Sequence, residues 1–411
     1  MTETLSPLLI ILGYLLIARA FLSLKNNTWK YSLFAATNLA GIVLLFDWSA
    51  GRGKAIVFFF AYVFLVGFHF LMLQLFAQRQ GWLPWLAFIS PIASLIIIRY
   101  MPFLWDAAWR LLHLDIDRPV AEFFIGISYM AFRLSHLALE VRNGLVKKPT
   151  LAEYFGFAFF VPTLVVGPIN PYSTHHASIT APDREVTPIG RSLLRLIVGA
   201  AKFQFLANIL NQLSYGGLLL DGHPHAPVDL LVAGIAYYLY IYCNFSGFCD
   251  MAIGAAGLLG IHVKENFQNP LAARNVKDFW NRWHITLSIY TRDMVFSPLS
   301  KYLVRKLGAQ NANHAIALAI LVVFLIVGVW HGLGWNYLLF GAVHAAGVIV
   351  NHYYGIWLKK RLGKTGFKAY NANPVISMLA VASTFLYVTA SFFIFANDFS
   401  TMKKIFNAIR F

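Results

Sequence analysis

Residues 324–337 read FLIVGVWHGLGWNY. An apolar run that starts near residue 312 ends here on His331. Gly332 and Gly334 follow, and a second apolar run resumes at Trp335. A run of about 20 apolar residues is the length of helix that crosses the hydrocarbon core of a bilayer. An imidazole at the edge of such a run is costly unless it has a partner or a task. The two glycines interrupt the helices on either side and open the backbone to close approach.

The rest of the chain repeats the pattern. It has 411 residues, of which 59% are hydrophobic, 16% aromatic and 12% charged. A soluble domain carries about 25% charged residues, so a water-soluble fold is excluded. Further apolar stretches fall at about 5–24, 31–47, 55–77, 82–100, 119–141, 151–167, 192–220, 228–260, 335–357 and 374–396. None alternates with period two, and lipid leaves no partner for an open backbone, so these are helices rather than barrel strands. The expectation is an all-α integral membrane protein with about 10–11 transmembrane helices, forming one polytopic domain over 1–411. The 192–220 stretch fits poorly as a single span. Asn211, Ser214, Gly216 and Gly217 read as breaks, which predicts a re-entrant element or two short helices.

The formal charge of +16 follows from the same architecture. Basic residues collect in the segments between apolar runs, as cytoplasmic loops of membrane proteins do. Clusters lie at Lys25–Lys30, at Arg142, Lys147 and Lys148, within 264–306, and at Lys359, Lys360, Arg361 and Lys364. Placing them inside puts the N-terminus and residues 168–190 outside. No compact basic domain remains to grip a phosphate backbone, so nucleic acid is not an expected partner. The N-terminal stretch lacks a basic leader and reads as an uncleaved first span. Cys243 and Cys249 give no disulfide framework or paired-cysteine metal motif.

Residues 261–311 are too polar to span and too aromatic to be a solvated linker. Within them 276–287 reads as one helix, with Asp278 and Arg282 spaced for an i,i+4 ion pair and Trp280, His284, Leu287 and Ser288 on one face. Such an aromatic, amphipathic segment suits the membrane interface or a cavity wall. On helix 119–141, Arg133, His136 and Glu140 share a face, with His136 placed to bridge the other two in a structural network. His175, His176, His223 and His225 read as solvated loop histidines. His69, His136, His314, His344 and His352 read as packed or interfacial ones. His331 and His284 stand apart in context, but two histidines are too few for a zinc site.

Several motifs carry a resemblance. They are DFWNRWHITLS (278–288), VWHGLGWNYLLFGAVHA (329–345), FSGFCDMAIGAAGLLGI (245–261), ENFQNPLAARNVKDFW (265–280), GISYMAFRLSHLALEVRNG (126–144) and FFVPTLVVGPI (159–169). In this order the chain resembles the bacterial branch of the membrane-bound O-acyltransferase family, most strongly over 120–350. Within the branch it is most similar to the members that transfer D-alanyl groups in teichoic-acid modification. Cys249-Asp250 departs from the polar pair that many relatives carry after the glycine.

The resemblance implies a helical fold around a central catalytic tunnel, with re-entrant or interfacial helices beside the spans. It implies transfer of an acyl group, D-alanyl in the best match, from a thioester to a hydroxyl. His331 is then the expected general base, since a neutral imidazole in apolar surroundings accepts a proton from an alcohol. His284 is the second catalytic histidine, lining the donor entrance or polarising the thioester carbonyl. Asn281, Trp283 and Ser288 are expected at the substrate, Arg282 at the phosphate of a pantetheine arm, and Trp330 and Trp335 as walls that dry the pocket. No cofactor is expected to be resident. The donor would be a phosphopantetheine thioester on a small acyl carrier protein, or acyl coenzyme A. The acceptor would be an extracytoplasmic glycopolymer at the bacterial cytoplasmic membrane, with accessory envelope proteins. Two other readings remain open on the residues. One is O-acetylation of an exopolysaccharide of alginate or cellulose type. The other is a transporter or flippase, which broken helices and buried charge would also suit.

Overall fold

A computed structural model describes residues 2–45, 52–111, 120–181 and 187–409. Among them there is no strand, and only two isolated bridges, His225 with Ile409 and Phe267 with Trp283, depart from helix and turn. The fold is that of an all-α integral membrane protein. Its Cα positions cluster into two compact units, 1–199 with 248–264 and 200–247 with 265–411.

The first unit contains α1 (Thr2–Leu22), α2 (Asn27–Leu45), α3 (Arg52–Phe76), α4 (Pro84–Tyr100), α5 (Pro102–Leu111), α6 (Ile127–Arg142), α7 (Leu151–Ala158), α8 (Tyr172–Thr180) and α9 (Ile189–Ala200). The second contains α10 (Ala207–Gln212) and α11 (Tyr215–Leu218). A 32-residue helix, α12 (Pro227–Leu258), contributes to both units. The second unit continues with α13 (Val276–Arg282), α14 (Ile285–Thr291), α15 (Ser297–Leu307), α16 (Ala312–His331), α17 (Trp335–Ala372), α18 (Pro374–Ala396) and α19 (Phe399–Ala408).

Five helices are long and apolar enough to cross a membrane among the described residues: Ala55–Phe76, Ile189–Gln212, Pro227–Leu258, Ala309–His331 and Pro374–Ala396. Their apolar side chains mostly face outward. Only 11% of the Ile189–Gln212 window and 28% of the Ala55–Phe76 window lie inside the molecule. In water such surfaces would associate, whereas lipid tails solvate them.

The expected ten or eleven spans are therefore not all single long apolar helices. The 151–167 run is split, because Thr150 and Glu153 form a capping box that starts α7 and Pro162 lies in a separate 3₁₀ turn. Run 31–47 ends against 46–51, and run 119–141 begins at residue 119. Both margins lie outside the described residues. The 192–220 stretch corrects the other way. It is one continuous helix over Ile189–Gln212, with a π-helical turn at Ala201–Leu206 absorbing irregularity in place of a break. The polar and glycine residues act after it, at Ser214 and in the four-residue α11.

In the first unit the Arg133–His136–Glu140 face holds a different arrangement from the expected bridge. Arg133, 1% exposed, donates to the Thr163 hydroxyl and the Ala158 carbonyl and lies over the Phe157 ring. Glu140 accepts from the backbone N–H groups of Tyr172 and Ser173 and from the Ser173 hydroxyl at the start of α8. His136 lies 3.5 Å from Glu140. The two charges thus serve separate loops, Arg133 through its two terminal nitrogens and Glu140 through its carboxylate. His175 is also a correction. It is buried in α8 among Phe34, Phe157 and Phe160, not solvated. His176 lies 3.5 Å from Glu153.

In the second unit α16 and α17 pack backbone to backbone. A Cβ on Gly341 would lie 2.4 Å from the Phe324 carbonyl oxygen, and one on Gly328 would lie 2.5 Å from that of Tyr337. Neither neighbour can yield, since both are helix backbone. Gly341→Ala should therefore lower the thermal unfolding midpoint in detergent, with a cost of about 1–3 kcal/mol typical of overpacking. Gly355→Ala on the same helix, where a Cβ meets nothing within 4 Å, should leave the midpoint unchanged or raise it.

Candidate active site

Both singled-out histidines stand where a helix of the second unit stops. The expected single helix over 276–287 is two helices, α13 and α14, with the break at Trp283 and His284. The local sequence supplies the reason. Residues 266–268 run alongside the break and pair with it: the Gln268 N–H donates to the Arg282 carbonyl and the Ile285 N–H to the Asn266 carbonyl. Ser288 covers another exposed carbonyl, its hydroxyl donating to that of Trp280. Backbone groups freed by the break are thus re-satisfied.

His284 takes the left-handed conformation, φ +44°. That is uncommon for a residue with a Cβ and persists only where surroundings over-determine it. Asn266, 1% exposed, does so. Its side-chain oxygen lies 3.1 Å from the Thr286 backbone nitrogen, 2.9 Å from the Thr286 hydroxyl and 3.2 Å from His284 Nδ1. His284 itself is 3% exposed, and its Nε2 is buried without a hydrogen-bond partner. Burial, and to a lesser extent His331, pull its pKa down from the ordinary histidine range to about 3, so the ring is neutral near pH 7.

His331 ends α16. Gly332 is extended, and a Cβ there would sit 2.5 Å from the Tyr337 ring, which accounts for glycine at the turn into α17. The Trp330 ring touches both imidazoles, with centroids 4.6 Å from His331 and 6.3 Å from His284. Phe245 closes the His284 side at 4.8 Å and Phe395 the His331 side at 5.0 Å. Two breaks far apart in sequence thus bring two imidazoles to one aromatic wall.

A family model described as "MBOAT, membrane-bound O-acyltransferase family" matches residues 70–393, an interval that contains both breaks. The chain belongs to the membrane-bound O-acyltransferase family. It is 32% identical to a teichoic acid D-alanyltransferase of Streptococcus thermophilus, over 68% of this chain and 71% of that one. Against the teichoic acid D-alanyltransferase of Bacillus subtilis it is 27% identical over 94% and 95%. It is also 28% identical to a probable alginate O-acetylase of Pseudomonas aeruginosa, over 69% of this chain and 51% of that one. The protein is accordingly a membrane O-acyltransferase.

The other residues singled out in this O-acyltransferase fall in four places. Asn281 and Ser288 line a cavity of about 490 Å³ together with Lys277, Trp280, Arg292 and the α16 residues Phe324 and Val327. Trp283, 5% exposed, is packed into an aromatic cluster with Phe267, Phe279 and Phe392. Arg282 pairs with Asp278 at 2.8 Å, the i,i+4 pair its spacing permits. Trp335 is 72% exposed, and the rings recorded around His331 are those of Trp330, Tyr337, Phe340 and Phe395. Phe324 packs on Trp280 and His344. Asn266 was not singled out from the sequence, although it stands in the quoted ENFQNP motif. A buried amide has no local signature before its partners are known.

His344 provides a contrast. It is fully buried, its Nδ1 accepts from the Trp280 indole N–H at 3.1 Å, and its Nε2 lies 2.9 Å from the Ser391 hydroxyl. Ser391 already donates to the Val388 carbonyl, so Nε2 carries the proton. Both nitrogens are used in structure. His344→Leu should strand the Trp280 N–H and lower stability by about 1–3 kcal/mol. His314→Leu, at an exposed site, should stay within about 0.5 kcal/mol. Thermal unfolding of the purified variants checks both.

Proposed function

We propose that the acyltransferase moves an acyl group, D-alanyl by preference, from a cytoplasmic carrier-protein thioester to hydroxyls of an extracytoplasmic glycopolymer, with His331 as general base. The observation that carries this reading is the pair of imidazoles on the Trp330 ring, one of them with a buried nitrogen that nothing in the fold uses. Buried polar atoms are partnered in the great majority of cases, so an orphan beside a helix break points to a transient partner. The teichoic acid D-alanyltransferases among the relatives favour D-alanyl and teichoic acid.

In this mechanism the acceptor hydroxyl gives its proton to His331 as its oxygen attacks the thioester carbonyl. The new C–O bond forms, the C–S bond breaks, and the departing thiolate takes the proton back from the imidazolium. A positioned base is worth about 10²–10⁴ in rate. The donor arm would lie in the cavity lined by Asn281 and Ser288, with Lys277 and Arg292 available to a phosphate. Asp278 engages Arg282, so Lys277 suits the phosphate better. Exposed Lys301, Arg305 and Lys306 on α15 would attract an acidic carrier protein. The setting is multi-pass, in the bacterial cytoplasmic membrane, with accessory envelope proteins as further partners.

A second reading, acetyl transfer to an exopolysaccharide, draws on the alginate relative. One assay separates the two: purified protein with D-alanyl carrier thioester or with acetyl coenzyme A, scored for hydroxyl-dependent thioester loss. D-alanyl carrier should be consumed, and His331→Ala should slow this by about 10²-fold or more while still inserting in the membrane. Unimpaired transfer by His331→Ala would sink the assignment of the base. Turnover of acetyl coenzyme A alone would move the substrate to the second reading.

A further inference from the structure

The environment of His284 contains enough information to say which ring nitrogen carries the proton. The Thr286 backbone N–H can only donate, so the Asn266 side-chain atom 3.1 Å away is the carboxamide oxygen and not its NH₂. An oxygen that accepts cannot also donate, so the His284 nitrogen 3.2 Å from it must be an N–H. In a neutral imidazole only one nitrogen is protonated. Nδ1 therefore bears the hydrogen, and the buried Nε2 that lacks a partner presents a bare lone pair.

We propose that Asn266 is a positioning residue for acyl transfer: it holds His284 as the Nδ1–H tautomer, so that Nε2 offers an acceptor to a second donor group of the acceptor polymer, beside the hydroxyl that His331 deprotonates. This rests on the reading of the two histidines as the catalytic pair. It also decides between the roles open to His284. Polarising a thioester carbonyl needs a donor, and a neutral ring whose proton faces Asn266 has none left on the other side. The low proton affinity produced by burial points the same way, since a second proton on the ring is disfavoured. The titratable group acting on His284 is His331 at the end of α16, while Phe245 of α12 and Trp330 bring no charge.

The three contacts of the Asn266 side-chain oxygen form one device. Thr286 fixes which end of the amide faces inward, the amide fixes the tautomer, and the left-handed φ of His284 aims the ring between Phe245 and Trp330. The hydrogen bond on one imidazole nitrogen sets the state of the other. A misprotonated but well-placed imidazole is catalytically poor: in a serine-protease triad the wrong tautomer costs about 10⁴ in kcat.

The test uses the full-length protein in lipid nanodiscs, labelled with ¹⁵N in the histidine rings, with the His284 signals assigned by their loss in His284→Gln. At neutral pH the wild type should show a protonated Nδ1 and an unprotonated, pyridine-like Nε2. Asn266→Ala should populate Nε2–H and slow thioester transfer by about 100-fold, the lower end of what a positioned acid–base group contributes. Asn266→Asp, whose carboxylate accepts from the same donors, should restore the Nδ1–H signal and bring transfer back to within about 10-fold of wild type. A purely structural amide would leave the tautomer untouched in Asn266→Ala, even if the variant were less stable. An Nε2–H signal in the wild type, or wild-type rates from Asn266→Ala or from His284→Ala, would overturn the proposal. Failure of the underlying mechanism shows separately, as unimpaired transfer by His331→Ala.

Discussion

The local structure of the site depends on one buried carboxamide oxygen. Asn266 Oδ1 gathers two donors from Thr286 and one from His284, and that gathering holds the start of α14 apart from the end of α13. Left-handed backbone at a residue with a Cβ costs on the order of 1–3 kcal/mol. Each buried hydrogen bond returns about 0.5–1.5 kcal/mol, and the paired backbone of 266–268 adds more. The break is stable because a polar side chain in a dry place must be satisfied, and the only geometry that satisfies it bends the chain.

Burial inside the protein explains why such a device is available here. Lipid gives no partner to a loose carbonyl or amide, so irregular backbone survives only where protein supplies one. The second unit does this at both breaks by different means. Between α13 and α14 side chains and a neighbouring segment saturate the backbone. Between α16 and α17 the glycines let two helices approach so closely that their backbones meet, as Gly328 and Gly341 show. The first device fixes a tautomer, and the second fixes where an imidazole leaves its helix.

The helices were legible because apolar length is a strong signal in a chain with 12% charged residues. What the sequence hid was which interruptions matter. Asn211 and Gly216–Gly217 looked like a break inside a span, yet the helix ran on to Gln212, since polar residues near a helix end need no partner within the lipid. Residues 276–287 looked like one helix, because no residue among them is a breaker. The cause lay at Asn266, and its hydrogen bonds to His284 and Thr286 appear only in three dimensions. The i,i+4 pair of Asp278 and Arg282 was readable because both ends lie on one short helix. The separation of Arg133 from Glu140 was not, since Thr163, Ala158 and Ser173 compete from loops distant in sequence.

Burial of a histidine is therefore a poor guide to chemistry in this protein, as two buried rings of the second unit show. His344 and His284 are both neutral rings packed against aromatic side chains in the second unit. In His344 an indole N–H and a hydroxyl use both nitrogens, so the ring works as a rivet, and anything that bound it would have to break the core. In His284 the same kind of ring is held by one nitrogen only, and the other is buried without a partner. A lone pair left unpartnered in a dry place costs free energy that a hydrogen-bond donor would recover.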